Sequence, residues 1–227
     1  GALSWILHQG SRDPYVILVT IYVFAPYFSR VLIGDPVKGQ ATVADISTTY
    51  GLLTALLAPI LGASIERYGP RKPLMAMGLA IMVPLLMALW WATPGGLPVG
   101  LIGVFLIILG VVYNCGDVLQ NSLLSRAAEK GQEPVLSGLG YATANGLSVA
   151  LLIFVMWAFV LPGQVSWSFV PAGPLFGLSQ ADHEPSRIVG PLAGAVMLLG
   201  AIPFFLWTRD APRTGVSFVA SLKEGFK

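Results

Sequence analysis

Charge is the scarcest thing in this sequence. Only 11% of its 227 residues are Asp, Glu, Lys or Arg, against about one-quarter in an ordinary soluble domain. The net charge of +2 is too small for a nucleic-acid footprint. A single cysteine, Cys115, excludes an internal disulfide, and its apolar setting reads as that of a small buried hydrophobe. The sequence has no P-loop, no metal-ligand cluster and no nucleophile elbow. Nothing in it points to an enzyme, a metal or a cofactor.

What fills the space left by charge is apolar sequence in long blocks. Hydrophobic residues make up 55% of the chain and the mean hydropathy is +0.75. A soluble fold could not hide this much apolar surface, so lipid is the expected solvent. Six runs reach the roughly 20 residues a spanning helix needs: residues 15–33, with a possible start at Ser4, then 44–65, 73–92, 97–124, 135–161 and 188–208. They lack the alternation of barrel strands, so the expected class is an all-α integral membrane protein.

The connections alternate in charge. One set carries Arg67, Arg71 and Lys72, then Arg126 and Lys130, then Arg209, Arg213, Lys223 and Lys227 of the segment 209–227. The opposite set has Lys38 and then no cation before Arg187. The positive-inside rule puts the first set and both termini in the cytoplasm. The long connection 162–186 holds Trp167, Phe169 and Phe176 and reads as an aromatic cover at headgroup level, with a substrate lid as the sharper idea. Its Asp182, His183 and Glu184 are adjacent, so they cannot converge on one metal ion. In the fifth run Gly138, Ala142, Gly146 and Ala150 recur every fourth residue, as do Gly190 and Gly194 in the sixth. Such stripes let a neighbouring backbone approach closely.

The turn between the second and third runs reads Gly62-x-x-x-Glu66-Arg67-x-Gly69-Pro70-Arg71-Lys72. It resembles the major facilitator superfamily signature G-x-x-x-D-R-x-G-R-R/K at the same turn, with Glu66 for the Asp and Pro70 for the first paired cation. The opening "LSWILHQGSRDPYVILVTIYVFAPYF" (3–28) is similar to "SWxxYDxANSxY…FxPYF" of the Atg22-like branch, except that His8-Gln9 stands for Tyr-Asp. "GDPVKGQA", "RKP", "LQNSLLSR" and "SGLGYATANG" are similar to the same branch. The resemblance implies one half of a twelve-helix fold, built as two inverted three-helix repeats. The end of the sequence, "RDAPRTGVSFVASLKEGFK", resembles the start of the linker between halves. In the family the charged turn latches the two halves, so Gly62, Glu66, Arg67, Gly69, Arg71 and Lys72 are the expected gating turn.

Polar groups inside apolar runs are costly and usually face the bundle interior. In the fourth run Asn114, Asp117 and Asn121 share one helical face, with Gln120 beside it. Asp117 is the expected proton or cation site; the plainer reading is an acid paired across helices. Arg12 and Asp13 either snorkel to water from the start of the first run or, with an earlier helix start, line an inner cavity. Tyr50 and Asn145 complete the cavity candidates. Two functions follow. One is a facilitator-type secondary transporter in a bacterial inner membrane, moving a small metabolite such as an amino acid. It would need a second six-helix half from the same gene, a separate chain or a second copy. The alternative is a half-length, non-transporting subunit with a structural or assembly role in a larger membrane complex.

Overall fold

The computed structural model describes residues 1–212, 214–218 and 220–221. Arg213, Lys223 and Lys227, three of the cations assigned to the cytoplasmic segment, lie outside the described residues. Within them the chain is helical, with no strand beyond one isolated bridge between Pro162 and Val165. Six helices are long and apolar enough to cross a membrane: α1 (Ala2–Leu32), α2 (Pro36–Tyr68), α3 (Lys72–Trp91), α4 (Val99–Ser122), α5 (Glu133–Val160) and α6 (Glu184–Trp207).

Two of these begin eight or more residues earlier than the hydropathy runs from Tyr15 and Ala44. Helix α2 starts at Pro36 because Asp35 caps it: one carboxylate oxygen accepts from Val37 N at 2.9 Å and Lys38 N at 3.0 Å, and proline suits the first helical position. Helix α1 starts at Ala2, since Trp5, His8, Gln9 and Arg12 are all buried against other helices rather than lying at a water boundary. Beyond Arg12 the α1 helix is irregular. It turns at Asp13, widens to π-type hydrogen bonding over Val16–Tyr22, bends at Val23 and widens again over Phe28–Leu32. Pro26 has no N–H to donate and its ring crowds the preceding turn, which accounts for the bend being here.

In packing order the helices run α5, α1, α6, α3, α4, α2, each against the next. The N-terminus, the 62–73 turn, the segment after α4 and the segment after α6 gather at one end. There Ser4 Oγ lies 2.8 Å from Thr208 Oγ1, and Arg71 Nε reaches Ser122 Oγ at 3.4 Å. At the other end Tyr27 Oη donates to Ala92 O at 2.6 Å, and Arg187 donates to Trp90 O at 2.5 Å while covering the Trp90 ring. Gln180 Nε2 ties the long 162–186 connection to Phe159 O and Pro162 O, both at 2.9 Å. Trp167, Phe169 and Phe176 all remain exposed on it. No group of His, Cys, Asp or Glu among the described residues could hold a metal ion.

The two small-residue stripes behave differently. A side chain at Gly190 would strike Leu86 O, so this stripe does bring α6 against α3. A Cβ at Gly138 or Gly146 would meet no neighbouring element within 4 Å among the described residues, and Ala142 and Ala150 are exposed. The stripe that seats α5 on α1 is the next face round, Gly140, Ala144 and Ser148, all buried. At Gly140 a Cβ would lie 2.7 Å from the Trp5 ring.

Candidate functional site

The apolar core falls into two clusters. One, near the charged end, centres on Trp5, Leu119, Leu123 and Phe204. The other, larger, runs from Tyr15 and Phe24 to Leu109 and Met197. Between them α1 and α4 meet through polar side chains. Trp5, His8 and Arg12 fall on one face of α1, and Tyr113, Asp117 and Gln120 on one face of α4, by helical spacing.

Gln120 is fully buried and satisfied on both sides of its amide. Its Nε2 donates to Trp5 O at 3.1 Å, and its Oε1 lies 2.9 Å from His8 Nδ1. With the amide in that orientation, a neutral His8 ring carries its proton on Nδ1 and leaves Nε2 as an acceptor. Trp5 Nε1 donates to Gln120 O at 2.9 Å, and the His8 ring stacks on Phe204 at 4.3 Å.

One turn along, Arg12 Nη1 donates to Asp117 Oδ1 at 2.8 Å and Nη2 to Tyr113 O at 2.7 Å. The guanidinium lies 4.8 Å from the centre of the Tyr113 ring. Gly116 allows this approach, since a Cβ there would stand 2.8 Å from Arg12 Nη2. Tyr113 Oη donates to Asp13 Oδ1 at 2.7 Å. Arg12, Asp13 and Asp117 form one linked group carrying one positive and two negative formal charges. The Arg12 side chain is 5% exposed and that of Asp117 36%, so the pair is desolvated mainly on the arginine side.

This brings together four of the expected cavity residues, Arg12, Asp13, Asp117 and Gln120, with His8, Trp5 and Tyr113 added. The snorkelling reading of Arg12 does not hold, because its head group is enclosed and already paired. The remaining candidates lie elsewhere. Asn114 faces α2, with Nδ2 3.4 Å from Thr54 Oγ1. Tyr50 packs its ring onto α4 at Gly110, where a Cβ would come within 2.5 Å of it. Asn121 is exposed, and Asn145 is exposed with its Nδ2 donating to Tyr141 O of its own helix. The inward face of α4 is thus one residue step from the face that Asn114 and Asn121 define. Aromatic Tyr113 one turn before Asp117 was the available signal for the true face.

The charged turn closes onto the segment after α6. Asp210 accepts from Arg71 N at 2.8 Å and Lys72 N at 3.2 Å, so a carboxylate from distant sequence caps the start of α3. Lys72 Nζ in return donates to Phe205 O at 2.9 Å, a carbonyl near the end of α6. Gly69 ends α2 at φ +95°, and a Cβ there would strike Pro212 O. Thr214 Oγ1 lies within hydrogen-bond reach of both Arg67 O and Tyr68 O, to either of which it can donate its one proton. Burial lowers the Arg71 pKa, with Arg126 adding to it, while Asp210 and Glu66 oppose the shift. Glu66 is exposed, and Gly62 has nothing within 4 Å among the described residues.

A cavity of about 450 Å³ opens beside the α1–α4 network, between α2, α3 and α4. Its wall is apolar except where His8 and Arg12 reach it. Compared with models of known protein families and with curated proteins, the chain matches none.

Proposed function

We propose that the chain is a six-helix half of a major facilitator-type secondary transporter, of the Atg22-like branch. It would move a small metabolite such as an amino acid across a bacterial inner membrane by alternating access, with both termini cytoplasmic. The observation that carries this reading is the order of helix neighbours. Exchanging α1, α2 and α3 for α4, α5 and α6 turns α1 against α5 into α4 against α2, and α1 against α6 into α4 against α3. Contact of α3 with α6 is left as it was, so the pattern maps onto itself. Two equivalent three-helix repeats have this property; because three is odd, the second repeat of a membrane-spanning pair starts from the other side and is inverted.

The equivalent helices α2 and α5 also share an unpartnered face. Asp45 and Thr48 on α2 are exposed, as are Asn145 and Gly146 near the middle of α5. Polar groups at such depth are costly against lipid, and a second six-helix half would cover them. One observation favours the alternative of a non-transporting subunit: Asp117, the expected proton site, is bonded to Arg12, as an acid that only holds the bundle would be.

The test is solute counterflow in proteoliposomes holding the full-length product of the reading frame, with labelled amino acids as the first substrates. Counterflow supports the transporter. Its absence across amino acids and related small metabolites, together with co-purification in a larger complex, overturns it. If Asp117→Asn leaves the pH dependence of uptake unchanged, Asp117 is not the proton site.

A further inference from the structure

We infer that the cavity between α2, α3 and α4 is a lateral binding site for an uncharged, hydroxyl-headed amphiphile with a long apolar tail. Its volume of about 450 Å³ falls in the range of small-molecule sites. Its rim includes Leu57, Met77 and Ile81, all exposed on the sides of α2 and α3. The mouth therefore opens sideways, between two helices whose exposed residues at this rim are apolar, and admits a ligand from the bilayer more readily than a solute from water.

The wall and the inner end select different parts of one molecule. Met75, Met77, Met82 and Met197 line the wall, four of the six methionines in the chain. Methionine adapts its shape to an alkyl chain. At the inner end stand His8 and Arg12. His8 Nδ1 is committed to Gln120 Oε1; in the neutral ring Nε2 is then an acceptor, and no donor among the described residues meets it. Arg12 uses Nη1 on Asp117 and Nη2 on Tyr113 O, and its other N–H groups have no partner among the described residues. A hydroxyl supplies both complements at one atom: its proton goes to Nε2 and its oxygen accepts from Arg12. A carboxylate fits less well. Asp117 already neutralises Arg12 and Asp13 adds a further negative charge close by, so a third anion would be repelled.

This inference does not rest on transport and survives if the chain transports nothing. Cys115 provides the readout, because it is the only cysteine and lines the cavity. The full chain in detergent micelles or liposomes is labelled with a membrane-permeant maleimide in the presence of a long-chain alcohol, the matching methyl ether or the matching fatty acid. The alcohol is expected to slow Cys115 labelling at least about fivefold at saturation, and to do so at about tenfold lower concentration than the ether, as one hydrogen bond allows. Equal protection by alcohol and ether would show a site for any acyl chain and overturn the assignment. Stronger protection by the fatty acid, or no protection by any of them, would also overturn it. His8→Asn keeps a donor for Gln120 and removes the Nε2 acceptor. Its expected result is loss of the preference for alcohol over ether; a retained preference rules out His8 as the selecting group. The ligand series on the unaltered chain stands even if that variant fails to fold.

Discussion

Two charged clusters join distant parts of this chain, and they work under opposite conditions. Arg12 and Asp117 link α1 to α4 in the interior, where the guanidinium is enclosed. Asp210, Arg71 and Lys72 link the segment after α6 to the start of α3 at the charged end of the bundle. In the first, charge meets charge with the arginine enclosed, so Arg12 depends on Asp117 for its solvation. In the second, charge meets the unpaired amides and carbonyls of helix ends, where water can replace either partner. Removing one member should be severe in the first cluster and mild in the second.

The largest effect is expected from Arg12→Ala. It leaves Asp117 unpaired beside Asp13 and takes the donor from Tyr113 O. Breaking a buried pair costs about 3–5 kcal/mol, and the partial exposure of Asp117 puts this case near about 3 kcal/mol. The measurement is the unfolding midpoint in detergent. Arg12→Gln combined with Asp117→Asn removes both charges of the pair and should recover at least half of that loss, since Asp117 no longer stands unpaired and Asp13 keeps its hydrogen bond from Tyr113. A double variant as unstable as Arg12→Ala would mean that shape, not charge, is what the pair contributes.

Asp210→Ala comes next. It strips the cap from Arg71 N and Lys72 N, which costs about 1 kcal/mol at an ordinary helix start. Asp210→Asn should keep about half of that stability, because its single amide oxygen can replace only one of the two carboxylate oxygens that accept from Arg71 N and Lys72 N. If the asparagine variant loses as much as alanine, the electrostatic part of the cap dominates and the comparison with the interior pair weakens.

The contrast also marks where sequence reading reaches its limit. Six helices were legible because length and hydropathy are local properties of the chain. The early start of α2 was legible too, in Asp35-Pro36, but the polar residues Lys38 and Gln40 pull a hydropathy window away from it. The interior pair was half legible. Asp117 and Arg12 each stand out as charges in apolar runs, yet nothing local says that they meet. The inward face of α4 was misread by one residue step, about 100° on the helix, because polar residues at helical spacing occur on both faces: Gln120 inside, Asn114 and Asn121 to the side. The small-residue stripe of α5 failed for the same reason, with two stripes of equal spacing and only one packed. The Asp210 cap was not legible at all, since its partners lie more than a hundred residues earlier.

The smallest effect separates stability from function. Glu66 is exposed and interacts electrostatically with Arg71, itself held by backbone and hydroxyl contacts. Glu66→Gln should change the unfolding midpoint by no more than about 0.5 kcal/mol equivalent, as exposed charges usually do. The proposed latch role makes a second, independent demand on this residue. In the full-length protein the same substitution should alter the counterflow rate, because the carboxylate would face the other half rather than its own turn. A rate change with the midpoint unmoved places Glu66 in the gating cycle. An unmoved rate reduces the turn to an anchor, whose work is done by Asp210, Arg71 and Lys72 alone.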